Sequence, residues 1–195
     1  FMNLILFSFS KLAVAVFGAY FKVQSMAFMP VFGLNNGMIP IISYNYGAQR
    51  PDRMKRTMKL GVMVGCSIML FCLIIMQVFP GQILKIFDAT DDMLSMGIPA
   101  VRIMSTAFIF AGFSVTCSGM FQAVGKGVYS MIVSMARQLF VILPVAYFLS
   151  KAMNSVNGVW TAFPIAEIFS VIISTFLLLR VYKKIVKPLE RGQIE

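Results

Sequence analysis

Residues 26–47 form an apolar run long enough to cross a bilayer, broken by Pro30, Gly33, Gly37 and Pro40. Each proline removes a backbone donor, and the glycines let a second helix or a ligand approach closely. In hydrocarbon such interruptions persist only where protein or a water-filled cavity covers the freed carbonyls. The run leaves the membrane through Asn45-Tyr46-Gly47-Ala48 and meets a basic cluster of Arg50, Arg53, Lys55, Arg56 and Lys59. The rest of the chain must therefore supply buried neighbours on one side of this point and an aqueous face on the other.

Composition agrees. Apolar residues make up 59% of the 195 and charged ones 12%. The apolar residues gather in runs of about 20, the length that spans roughly 30 Å of hydrocarbon. The runs predict spans over 1–21, 26–47, 57–79, 97–123, 128–149 and 159–181, with a short connection at Lys22-Val23-Gln24-Ser25. Gly61 and Gly65 make a small-residue face in the third, and Ala107, Ala111, Gly112, Ser114, Ser118 and Gly119 line the fourth. Helices with such faces pack backbone to backbone. Within 80–94, Ile83, Leu84, Ile86 and Phe87 recur at helical spacing beside Asp88, Asp91 and Asp92, which predicts a short helix on the membrane surface. The expected fold is an all-α membrane protein, with residues 1–182 as a lobe of six transmembrane helices and 183–195 as a basic tail.

The net charge of +10 is carried in clusters beside the apolar runs. That pattern reports topology, and anionic lipid is the expected partner where nucleic acid is not. The basic loop after the second run and the tail with Lys183, Lys184, Lys187 and Arg191 hold most of the positive charge. An even number of crossings separates them, so both are expected in the cytoplasm, with Lys126, in a multi-pass protein of the cell (inner) membrane. The aspartates, Lys22, Lys85 and Lys151 then fall outside. The 3 cysteines, Cys66, Cys72 and Cys117, sit inside apolar runs without CxxC pairing and read as small hydrophobes. Histidine is absent. No hydrolase triad, phosphate loop or zinc pattern occurs, so neither an enzyme nor a bound metal or cofactor is expected. Opening on Phe1 directly in apolar sequence reads as a piece of a longer membrane protein.

Glu167 is the carboxylate expected inside a span, about 12 Å deep at 1.5 Å per residue. Such acids mark proton or ion pathways, or else make a structural ion pair. Lys11 lies at similar depth in the first span and is a candidate partner; alternatively it snorkels to the headgroups. Asn35 and Asn36 sit mid-span and must bond a neighbouring helix, water or a ligand, so they line a cavity or pack. Arg137 is expected to reach the headgroups or to cap Gln122 and the Asn45–Gly47 exit.

Three groups of residues carry a family resemblance: Gly33-x3-Gly37-x2-Pro40 followed by Tyr44-Asn-Tyr-Gly-Ala48 and Arg53; Phe121-Gln-Ala-x-Gly-Lys126 with Arg137-Gln138 and Pro144; and Gly158-Val-Trp-x-Ala-x-Pro164-x-Ala-Glu167. In order and spacing they resemble the C-terminal lobe of MATE transporters, the multidrug and toxic compound extrusion family. The resemblance implies one lobe of a twelve-helix, two-lobe protein whose lobes are related by an axis along the membrane normal and face a shared cavity. It implies export of organic cations or amphipathic drugs against inward proton or sodium flow, with the N-terminal lobe as the missing partner. Some branches place coupling acids in the first and fourth helices of this lobe, where this chain has Lys11 and no acid. A lipid-linked oligosaccharide flippase of the same superfamily, or a non-transporting membrane scaffold, are the alternative readings.

Overall fold

In the computed structural model, which describes residues 2–190, every regular element is helical. Arg191 and the rest of the expected tail lie outside the described residues. Helix α1 (Met2–Phe7) stops where Ser8 Oγ donates to the Ile5 carbonyl at 2.7 Å. Ser10 then caps α2 (Lys11–Gly47), its Oγ accepting from Ala13 N at 3.0 Å. Serine competes for backbone partners in this way and so sets helix ends.

The chain runs as helix through the connection expected at 22–25, and α2 is a single helix of 37 residues, about 55 Å long. Two of the polar residues there have partners that leave the backbone helical: Ser25 Oγ donates to Phe21 O at 2.8 Å, and Lys22 lies 5.9 Å from the Phe87 ring centre. A separate crossing over 1–21 is therefore not seen. Among the described residues four helices are long and apolar enough to cross a membrane, or five when a bent pair counts as one span.

Helix α3 (Pro51–Val78) opens on a proline, whose missing donor is no loss in a first turn. The surface helix expected over 80–94 is shorter, α4 (Pro80–Lys85), followed by a turn with Asp88 at φ 54°. Thr90 starts α5 (Asp91–Ser105), and α6 (Phe108–Ala123) follows at an angle of 48°. This bent pair replaces the single span expected over 97–123. Its freed carbonyls are taken up locally. Thr106 Oγ1 donates to Ile103 O at 2.7 Å, and Gln77 Nε2 reaches across from α3 to Arg102 O at 2.8 Å. A membrane interior demands such satisfaction.

The next crossing is α7 (Gly127–Met135), a π-helical segment (Ala136–Ile142) and α8 (Leu143–Ala152), together 26 residues. Pro144 cannot donate to the carbonyl four residues before it, and the wider π winding stands immediately upstream. Helix α9 (Val156–Val181) continues through a π turn (Tyr182–Val186) into α10 (Lys187–Glu190), so Lys183, Lys184 and Lys187 lie on helix. Lys55, in the first turns of α3, pairs with Glu190 of α10 at 2.5 Å. The end of the last helix therefore meets the basic loop after α2.

Close approach organises the packing. A Cβ on Gly112 would lie 3.0 Å from Cys66 Cα and 3.0 Å from the Gly65 carbonyl, so α3 and α6 touch backbone to backbone there. A Cβ on Gly119 would lie 2.8 Å from Asn35 Cγ, which brings α2 against α6. One apolar cluster gathers around Tyr20, Phe108 and Trp160, and a second around Ile42, Met54, Phe121 and Val181. Phe71, Phe140, Phe148 and Phe176 stand exposed on the outside, as a face in contact with lipid requires.

Candidate functional site: a buried ion pair between two cavities

Glu167 lies about three turns into α9 and is 6% exposed. Its Oε1 accepts from Arg137 Nη1 at 2.6 Å. Arg137 comes from the π-helical segment between α7 and α8, where the widened backbone sits opposite α9. Lys11 is not the partner: it is the first residue of α2 and is exposed. With α1 so short, its depth is that of a helix start. Nor does Arg137 cap the exit loop. Gln122 Nε2 donates to Ser130 Oγ at 3.1 Å, and Asn45 Nδ2 donates to Ile41 O at 2.8 Å. Gly47 ends α2, and Ala48 N closes its last turn on Tyr44 O at 2.9 Å.

Two cavities meet at Arg137 of this pair. One, of about 430 Å³, is lined by Asn35, Asn36, Gln122 and five serines, Ser114, Ser118, Ser130, Ser134 and Ser170. The other, of about 490 Å³, is lined by Phe17, Phe21 and Phe163 with Gln24, Ser25, Gln138 and Glu167. Phe28, Phe32 and Arg137 belong to both walls. Asn35 both packs and lines: its Nδ2 donates to Val115 O at 2.9 Å while its side chain borders the polar cavity. Asn36 borders the same cavity.

A buried carboxylate is tolerable only when paired, and Arg137 supplies the pairing. Four buried polar atoms at or near the pair have no hydrogen-bond partner among the described residues: Glu167 Oε2, Arg137 Nε, Asn35 Oδ1 and Ser170 Oγ. The site thus has hydrogen-bonding capacity left over for protons, ions or a ligand. Nothing in the sequence alone marks Ser134 as a wall residue. For Ser170 a signal existed, since it follows Glu167 by three residues and so shares its helix face.

In membrane proteins, a charged pair buried beside cavities of ligand size is an arrangement that transport pathways use. The MatE family model matches residues 1–148, and the chain belongs to that family of transporters. It is similar to the multidrug export protein MepA of Staphylococcus haemolyticus (strain JCSC1435), 25% identical over 91% of this chain and 38% of that protein. The MepA of Staphylococcus saprophyticus is 26% identical over 82% of this chain and 35% of that protein. Among solved structures, a MATE protein in the bent conformation superposes with a TM-score of 0.87 at 20% identity, over 98% of this chain and 42% of that one. An outward-facing multidrug resistance MATE transporter superposes with a TM-score of 0.86 at 20% identity, over 97% of this chain and 42% of that one. The chain therefore spans about two-fifths of the length of the proteins it matches.

Proposed function

We propose that this chain is the C-terminal half of a MATE exporter that moves amphipathic organic cations outward against an inward flow of protons or sodium ions. Glu167 carries the coupling charge and Arg137 is its resident counter-ion. The observation that carries this reading is the Arg137–Glu167 pair at 2.6 Å, its carboxylate buried and its guanidinium bordering both cavities. A proton on Glu167, or a sodium ion at its carboxylate, dissolves the pair. That loosens the π-helical crossing from α9, which is a two-state element of the kind alternating access needs. The N-terminal lobe is the partner across the central cavity, and lipid surrounds both. The basic loop after α2 and the tail over 183–195 face the cytoplasm, by the excess of Lys and Arg there. Lys11 serves at the other face, reaching the headgroups from the start of α2.

The test is drug export by the full-length protein in liposomes under an imposed proton gradient and then a sodium gradient. The gradient that drives export identifies the ion. Glu167→Gln should fold and lose coupled export; export retained in that variant would end the coupling role.

A further inference from the structure

Helices α2, α3 and α4 enclose a slot of about 370 Å³ that shares no wall residue with the two cavities at Arg137. Val23 and Ala27 of α2, Cys72 and Met76 of α3, and Ile83 and Phe87 of α4 and the turn after it line the slot. None of its wall residues is charged. Cys72 Sγ lies 4.0 Å from the Ala27 carbonyl, so α2 and α3 close together at that level. A charge stands at the rim. Lys22 is exposed, and its Nζ lies 5.9 Å from the centre of the Phe87 ring. It makes no ion pair among the described residues. Its level is that of a lipid headgroup. From the exposed Tyr44, near the other end of α2, back to Lys22 is about 33 Å of helix, one hydrocarbon thickness. Ala27 lies about 7.5 Å further into the hydrocarbon.

We infer that this slot is a phospholipid site, in which one acyl chain enters between α2, α3 and α4 and a phosphate oxygen accepts from Lys22 Nζ. A helix about 10 Å across needs more volume than this over the depth from Lys22 to Ala27, whereas a single hydrocarbon chain fits. Filling the slot with hydrocarbon gains packing contacts but little transfer energy, because the surrounding lipid is equally apolar. The phosphate contact therefore selects which molecule stays. It gives the unpaired ammonium of Lys22 an opposite charge at the level where headgroups lie. Asp88 follows Phe87 in the chain and suits a headgroup that also carries an amine. The site lies on the membrane face opposite the basic loop after α2, and it stands whether or not Glu167 couples transport.

The experiment uses phosphatidylethanolamine carrying a photoactivatable diazirine midway along one acyl chain, added to the purified full-length protein in detergent, with labelled peptides read by mass spectrometry. Labelling should saturate and concentrate on residues 72–76 and 83–87. It should be weaker around Phe140 and Phe148, which are exposed on another crossing. Unlabelled phosphatidylethanolamine should compete about threefold better than dioleoylglycerol, which keeps the chains and loses the phosphate; that is the worth of one exposed ion pair. Lys22→Gln should remove this advantage. Ala27→Phe should fill the slot and abolish labelling at 72–76 while leaving that around Phe140 unchanged. Labelling spread evenly over the exposed faces, equal competition by the two lipids, or a phosphate advantage that survives Lys22→Gln overturns the proposal. Should Ala27→Phe fail to fold, Lys22→Gln, at an exposed position, decides alone.

Discussion

Replacing Arg137 by methionine would leave the Glu167 carboxylate, 6% exposed, without its ion-pair partner among the described residues. An uncompensated buried charge of this kind destabilises by about 3–5 kcal/mol. Glu167→Gln acts differently. The Arg137 side chain is 26% exposed and borders both cavities, so the freed guanidinium is less deeply buried than the carboxylate. The loss there is that of one charged hydrogen bond, about 1.5–3 kcal/mol. The double variant buries neither charge and should fall short of the summed losses by about 2 kcal/mol or more. The assay is unfolding of the full-length protein in mixed micelles, followed by far-ultraviolet circular dichroism. A cycle that closes within about 0.5 kcal/mol would refute the pairing. Lys11→Met combined with Glu167→Gln is the control and should be additive within the same margin, since Lys11 sits exposed at the start of α2.

Gln77→Leu removes the side chain that donates to Arg102 O at 2.8 Å at the α5–α6 bend, and should destabilise by about 1–3 kcal/mol in the same unfolding assay; an unchanged midpoint would show that the bend does not depend on α3. Cysteines placed at Pro51 and at Glu190 should label from one side of the membrane and one at Thr90 from the other, in a protein lacking Cys66, Cys72 and Cys117. Labelling of all three from one side would contradict the crossing count.

The membrane class, the packing faces and the relative sidedness of loop and tail follow from sequence, because each depends on local composition. Apolar runs of bilayer length, small residues such as Gly65 and Gly112, and clustered Lys and Arg act wherever the helices end up. The sidedness of loop and tail depends only on crossings after the basic loop. It therefore survives the loss of the separate span over 1–21, and the Lys55–Glu190 contact agrees with it.

Helix ends are less legible in the sequence. Lys22-Val23-Gln24-Ser25 is polar enough to resemble a turn, yet Ser25 bonds back to Phe21 O and Lys22 lies by the Phe87 ring while the helix runs on. Ser8 and Ser10 sit among phenylalanines and still end one helix and begin the next. The partner of Glu167 lay beyond the sequence altogether. Depth along the membrane made Lys11 a candidate, but an ion pair also needs the right neighbouring helix and the right rotation about each axis. Those two quantities come from packing: the contacts at Gly112 and Gly119 seat α6 against α3 and α2, and the π segment before Pro144 carries Arg137 to α9. Local sequence determined the membrane class and the small-residue packing faces. Only the contacts among helices decided which buried charge meets which.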